Sequence, residues 1–294
     1  MCIFRRLVKQ KVQRVSLARG TRLCDNGRRK GARGMQTLQE IVDRCRRIAF
    51  FGGAGVSTAS GIPDFRGKDG LYAKRFGALT PEMMLSASFF YLHPDVFFDF
   101  YRTFMLHPDA KPNAAHEKLA ELERAGRLSA LITQNIDGLH RAAGSRLVYE
   151  LHGSVHENVC MDCGRRYDLR WLLGTQGVPR CEVCGGIVKP SVVLYGEGLD
   201  PYVSTGACRE IARCDALIVA GTSLTVEPAA SFLSYFPGGS RPLVVINREE
   251  TPADARATLV IRGDVAEVLG ALSVTPAPAR ARPSGPFAGG REWL

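Results

Sequence analysis

The chain has 294 residues, 45% apolar and 23% charged, the balance of a soluble globular protein, and no apolar run reaches the length of a membrane span. Its formal charge of +10 is local: residues 1–34 carry eleven Lys/Arg and one Asp, while residues 35–294 carry 28 basic and 28 acidic groups. A neutral body argues against a nucleic-acid-binding core and leaves only weak nucleic-acid contact to the basic arm.

Residues 1–34 mix Arg pairs, glycines and polar residues without a sustained period and read as a disordered arm, with Met35 opening the ordered domain. The arm has no apolar stretch long enough for a secretory signal. It is Arg-rich and acid-poor like a transit peptide, but poor in Ser. Residues 275–294, rich in Pro, Ala, Gly and Arg, read as a disordered tail. Of nine cysteines, four have metal-site spacing. The other five (Cys2, Cys24, Cys45, Cys208, Cys214) are scattered, which argues against a disulfide framework and for the cytoplasm.

Within the body, Thr37 and Glu40 form a capping-box pair, and Leu38, Ile41, Val42 and Cys45 recur behind it at helical spacing. The apolar run Ile48–Phe51 reads as a buried strand, followed at once by Gly52-Gly53-Ala54-Gly55-Val56-Ser57-Thr58. Glycines there let bare main-chain N–H groups approach a pyrophosphate. Gly53-x-Gly55-x-x-Thr58 is like a dinucleotide fingerprint with Thr in place of the third glycine. The continuation through Pro63, Asp64, Phe65, Arg66 and Gly67 adds a carboxylate, a ring and a cation. A plain phosphate loop needs none of these, so the segment reads as a cofactor site that also does chemistry.

Residues 71–105, aromatic and broken by Pro81 and Pro94, predict short helices over that loop. Asn113 caps a helix stopped at Gly126, and strands follow over Leu128–Thr133 and Leu147–Leu151. After a cysteine-bearing segment the pattern predicts a strand at Val192–Tyr195 and a helix at Val203–Arg213. Next come strand Ala216–Ala220, a helix opening at Pro228, strands Leu243–Asn247 and Leu259–Arg262, and a helix from Val265. This alternation predicts an α/β fold with a doubly wound parallel sheet. Ligands on such sheets sit at the carboxyl ends of strands. Gly52–Gly55, Gln134–Asp137, His152, Gly221–Ser223 and Asn247 all fall there, so five segments converge on one edge.

Cys160-x-x-Cys163 and Cys181-x-x-Cys184, with seventeen residues between the pairs, have the spacing of a four-thiolate zinc site. A closed shell of four sulfurs makes that metal structural. The alternative, two disulfides, lacks the secretion signal it would need. Thr133-Gln134-Asn135-Ile136-Asp137 places two amides and a carboxylate after a strand, where they can orient a ribose or carboxamide, although such clusters are often turns. A single His is usually structural, but the position of His152 among four other polar segments makes it the candidate general base. His116, His140 and His156 have weaker cases, and His116 reads as structural support. Gly221-Thr222-Ser223 is like a second phosphate cradle, with Asn247 and Gly263-Asp264-Val265 placed to hold an adenosine.

Taken jointly these segments resemble the sirtuin family of NAD-dependent protein deacylases. The resemblance runs from about Met35 to Leu272 and rests on residues 53–67, 133–137 and 152–153, the four cysteines, Lys189-Pro190 with Tyr195-Gly196-Glu197, and residues 221–223 and 263–265. It implies a Rossmann-like large part (35–70, 110–157, 189–274) and a small part made of a helical segment (71–109) and an inserted zinc module (158–188). Ala54, Thr58, Arg66 and Ser223 would hold phosphates and ribose, with Gly53, Gly55, Asp64, Gly221 and Thr222 completing the cradle. Asn247, Arg248, Asp264 and Val265 would border the adenosine. Ile136 and Asp137 would bind the nicotinamide carboxamide, Gln134 and Asn135 the neighbouring ribose, and Phe65 would shield the reactive face.

The resemblance also implies the chemistry. The acyl-lysine carbonyl captures an oxocarbenium-like C1′ as nicotinamide departs, and His152, with Asn135 as the second catalytic residue, accepts a ribose hydroxyl proton. The products are free lysine, nicotinamide and acylated ADP-ribose. An acylated protein segment would add as a strand between the loops after Gly196 and Ser223. Val193, Tyr195, Gly196 and Glu197 would bind it.

Three positions depart from the family pattern. Tyr101-Arg102-Thr103-Phe104 has Phe where sirtuins that remove acidic acyl groups carry Arg, so neutral acyl groups are expected, although Arg102 is one register away. Ser191 stands where an acidic or amide residue is more frequent, and Tyr195 where Phe is common. The rival readings are mono-ADP-ribosyl transfer to protein from the same cleft, and a zinc-ribbon nucleic-acid binder with the cleft as a ligand sensor.

Overall fold

A computed structural model describes residues 37–277 other than 66, 68, 69, 74, 75, 77 and 78. The expected arm and the start at Met35 lie outside the described residues. In chain order the strands are β1 (Ile48–Gly52), β2 (Leu128–Thr133), β3 (Val148–Glu150), β4 (Gly153–Cys160), β5 (Arg166–Asp168), β6 (Val188–Val192), β7 (Ala216–Ala220), β8 (Leu243–Ile246) and β9 (Leu259–Ile261). Six of them form one parallel sheet in the order β3-β2-β1-β7-β8-β9. β1, β7 and β8 are apolar and buried at every position because both sheet faces are covered.

The helices are α1 (37–44), α2 (Pro81–Met84), α3 (Ala87–Leu92), α4 (Pro94–Phe104), α5 (Ala114–Arg124), α6 (Leu139–Ala142), α7 (Leu169–Leu173), α8 (Pro201–Arg213) and α9 (Val265–Gly270). One sheet face packs against α1 (Leu38, Ile41, Val42), α5 (Leu119, Leu122) and α9 (Val268, Leu269). The other packs against α8 (Ala207, Ile211) and the 3-10 turn Ala229–Tyr235 (Phe232, Leu233). Among the described residues no helix is long and apolar enough to cross a membrane.

The chain leaves β1 for β2 on one side and reaches β7 on the other, so the crevice for a ligand opens at the end of β1. Helices α2–α4 build a separate aromatic core around Phe90, Phe97, Phe98 and Tyr101.

The structure corrects several boundaries. Thr37 is already helical, within α1. The strand expected at Val192–Tyr195 is β6, which ends at Val192 and pairs antiparallel with β4 in a three-stranded sheet ordered β5-β4-β6. Pro190 has no N–H to donate and is tolerated because β6 is an edge strand. Beyond it Val193 N donates to His152 O, and Tyr195 bridges to Ser86 instead of extending the main sheet. Strand β4, Gly-Ser-Val-His-Glu-Asn-Val-Cys, lacks the β-branched alternation that announces a strand, so no strand is expected there from sequence. The helix expected from Pro228 is 3-10. Residues 275–277, assigned to the tail, are tied down: Arg127 Nε donates to Thr275 O at 3.1 Å and Ala277 N to Ala125 O at 2.8 Å.

Candidate active site and metal centre

The site begins with the backbone. Where β1 ends, Gly55 N donates to Gly221 O at 2.8 Å, and a Cβ built on Gly55 would lie 2.7 Å from Gly221 Cα. A Cβ on Gly53 would lie 2.8 Å from Thr222 Cβ. The loops after β1 and β7 therefore touch main chain to main chain, which only glycine permits. Between and beyond them opens a cleft of about 950 Å³. It runs from Asn247, Arg248 and Val265, past Gly53, Ala54, Gly55, Thr58, Gly221, Thr222 and Ser223, to Gln134–Asp137, His152, Asp64, Phe65 and Val193–Glu197. That volume is at the upper end for small-molecule sites, as a dinucleotide with a peptide side chain demands.

Two expected cofactor residues stand apart. Arg66 lies outside the described residues. Asp264 is not on the cleft wall: its carboxylate caps α9 by accepting from Ala266 N and Glu267 N, and it pairs with Arg248 at 2.6 Å. Asp64 lines the cleft and also accepts from Gly67 N at 2.7 Å, shaping its own turn. Glu197 likewise supports its loop: one oxygen accepts from Leu194 N at 2.8 Å and from Lys189 Nζ at 3.1 Å.

His152 sits in the short link between β3 and β4, its Nδ1 2.9 Å from Gln134 O. A carbonyl only accepts, so Nδ1 carries the ring proton and Nε2 keeps its lone pair. Burial lowers the His152 pKa, opposed by that hydrogen bond, so the ring is a neutral base at pH 7.

Sequence reading did not single out Ser57 as a site residue, yet it is the hub of the floor. It is 1% exposed. Asn135 Nδ2 donates to Ser57 Oγ at 3.0 Å, and Ser57 Oγ donates to Asp137 Oδ2 at 2.6 Å. Asp137 Oδ1 meanwhile accepts from Leu139 N at 2.9 Å at the start of α6. Behind Ser57, His116 accepts from Asn113 N at Nδ1 and turns Nε2 toward Ser57 Oγ at 3.5 Å. Burial holds the His116 pKa down at about 4 despite Asp137 nearby. His140, its ring 4.6 Å from that of His116, is buried with neither nitrogen hydrogen-bonded among the described residues. His156 Nε2 bonds Asp137 O at 3.0 Å. The serine is visible in the glycine-loop motif; only its partners were hidden.

The metal centre lies in the module formed by β4–β6 and α7. The sulfurs of Cys160, Cys163, Cys181 and Cys184 all lie within 4.8 Å of one another, with Cys160–Cys184 at 3.4 Å and Cys163–Cys181 at 3.6 Å. A tetrahedral zinc with sulfurs 2.3 Å away spaces them about 3.8 Å apart, whereas a disulfide needs about 2 Å. Four thiols at these distances fit one zinc ion. Tyr167 OH donates to Cys181 Sγ at 3.1 Å and holds that thiol down at about 6, while its ring stacks on Trp171 at 3.9 Å.

Residues 53–228 match the Sir2 family. The chain is 52% identical over 234 residues to an NAD-dependent protein deacetylase of Clostridium perfringens, covering 79% of this chain and 96% of the relative. An NAD-dependent protein deacetylase of Cutibacterium acnes is 52% identical over 238 residues, 81% of this chain and 96% of its own length. A solved structure addressing the mechanism and regulation of Sir2 enzymes superposes with a TM-score of 0.74 at 40% identity, over 81% of this chain and 95% of that one. Sir2 with a p53 peptide and NAD+ does so at 0.71 and 38% identity, over 80% and 95%. Likeness of this extent in sequence and in fold makes the chain a member of the Sir2 family, the sirtuins.

Proposed function

We propose that the chain is an NAD-dependent protein lysine deacetylase that moves an acyl group from lysine to ADP-ribose and releases nicotinamide. The observation that carries this reading is His152, kept neutral by burial and oriented by Gln134 O inside a cleft continuous with both glycine loops and the Val193–Glu197 segment. When bound, NAD supplies an activated bond between ribose C1′ and nicotinamide.

The residues of this chain do the rest. Ala54, Thr58, Arg66 and Ser223 hold phosphates and ribose on the main-chain cradle of Gly53, Gly55 and Gly221. Asn247, Arg248 and Val265 border the adenosine. Ile136 and Asp137 orient the carboxamide, Gln134 and Asn135 the ribose beside it, and Phe65 excludes water from the reacting face. His152 takes a ribose hydroxyl proton at Nε2, making that oxygen the acyl acceptor. Val193, Tyr195 and Gly196 line the acyl-lysine path, with acylated lysine in proteins as the substrate. The zinc ion, closed off by four thiolates, holds the small part together and takes no part in the reaction. The free thiols Cys45, Cys208 and Cys214 suit the reducing cytoplasm.

Neutral acyl groups are the preferred cargo. Phe104 lines the cleft, whereas Arg102 donates to Thr175 Oγ1 at 3.0 Å, stands over the Phe98 ring, and is not on the cleft wall. A carboxylate entering beside Phe104 meets its ring and not the Arg102 guanidinium.

Mass analysis of the products with NAD and an acetyl-lysine peptide tests the reading. Acetyl-ADP-ribose supports it, and ADP-ribose attached to protein indicates transfer instead. No NAD turnover, with salt-sensitive DNA or RNA binding by a chain lacking residues 1–34, indicates a nucleic-acid binder.

A further inference from the structure

We propose that Tyr195 is a positioning residue that, through its hydroxyl bond to Tyr72, makes nucleotide binding and acyl-peptide binding reinforce each other. The inference rests on the proposed reading of the cleft as the NAD and acyl-lysine site.

The two hydroxyls are 2.6 Å apart, and both side chains line the cleft from different loops. Tyr195 is a fixed point. Its N–H donates to Leu85 O at 2.9 Å and its carbonyl accepts from Ala87 N at 2.9 Å, pinning it between α2 and α3. The preceding residue is held by Glu197, which accepts from Leu194 N and from Lys189 Nζ.

Tyr72 is tied to the cofactor side. Its N–H donates to Phe65 O at 2.8 Å, Leu71 N donates to Asp64 O at 2.9 Å, and the Phe65 and Tyr72 rings meet edge to face at 5.7 Å. One O–H···O bond therefore links the segment that receives the peptide to Asp64 and Phe65, which would face the nucleotide. A ligand that orders either side lowers the cost of ordering the other, and by linkage the effect is equal in both directions. A phenylalanine at 195 would keep the ring and delete only this link.

The test is calorimetric titration of ADP-ribose into the full chain, with and without a saturating acetyl-lysine peptide. In the native chain the peptide tightens ADP-ribose binding. Tyr195→Phe lowers that tightening roughly three- to tenfold, the range of one neutral hydrogen bond. Tyr72→Phe lowers it at least as far, and the double variant loses no more than Tyr72→Phe alone. The thermal midpoint is unchanged, which separates coupling from general loosening. An unaltered tightening in Tyr195→Phe, or single losses that multiply in the double variant, would overturn the proposal. If the native chain makes acetyl-ADP-ribose and Tyr195→Phe keeps full coupling, only this inference fails. If the native chain neither binds ADP-ribose nor makes that product, the functional reading fails with it.

Discussion

Gln134 Nε2 donates to Thr222 Oγ1 at 2.9 Å, a bond that passes over the end of β1 to join the loops after its two neighbours, β2 and β7. A Cβ added at Gly53, in the main chain leaving β1, would lie 2.8 Å from Cβ of the same Thr222. The phosphate cradle is thus a three-strand construction, and its glycines answer to neighbouring backbone as much as to a ligand.

Gly55→Ala tests that construction. The added methyl would lie 2.7 Å from Gly221 Cα, and main chain cannot turn aside as a flexible side chain can. We expect a stability loss of roughly 1–3 kcal/mol, as for other overpacked sites, and at least tenfold weaker ADP-ribose binding. Denaturant unfolding and calorimetry measure the two separately.

His152→Ala removes the base. Acetyl-ADP-ribose formation should fall by about two to four orders of magnitude, the usual worth of a general base, with zinc content and unfolding midpoint retained. The pH profile of the native enzyme carries a second signature. The base works only when unprotonated, and burial lowers its pKa below the ordinary 6.5, so the acid limb of activity should fall below that value. A limb centred above 6.5 would contradict the burial argument.

Ser57→Ala removes the hydrogen-bond partner of the buried Asn135 Nδ2 and of the half-buried Asp137 Oδ2 at once. Leaving a buried polar group unpaired costs roughly 1–3 kcal/mol. A lower midpoint in urea and a reduced turnover should appear together, the second because Asn135 and Asp137 are no longer held in register.

Stability should also fall with acid. The folded-state pKa of His116 is about 4 against an ordinary 6.5. Between those values the unfolded chain binds the proton and the folded chain does not, so stability is full above about 6.5 and declines as pH falls toward 4. Burial lowers the His140 pKa in the same direction. Urea titrations across this window read the slope, and His116→Asn should flatten it.

Chelation should remove one zinc ion per chain and unfold the module of β4–β6 and α7, since metal binding and folding of such sites are one equilibrium. Trp171, stacked on the Tyr167 ring whose hydroxyl bonds Cys181, reports the change. Its fluorescence should shift with metal loss, and Cys181→Ala should show the shifted spectrum from the outset.

Local patterns carried most of the fold. The apolar runs that became β1, β7 and β8 announce buried strands because both their faces are covered. Asn113 announces α5 because capping is a contact between near neighbours: its Oδ1 accepts from Ala115 N at 2.9 Å. Local sequence is silent where partners are remote or patterns are faint. Val193–Tyr195 has strand-like residues but docks on Leu85 and Ala87, and β4 pairs through a sequence too polar to stand out.

By itself the sequence determined the family, the zinc ligands and the strand-end segments that meet in the cleft, because glycine demands, ligand spacing and apolar periodicity are written in adjacent residues. Only the tertiary structure decided that Ser57 meets Asn135 and Asp137, 78 and 80 residues away, and that Tyr72 meets Tyr195 across 123. Such contacts depend on strand register and on the direction each loop takes after its strand. Those are properties of the packed whole, and no short stretch of the chain encodes them.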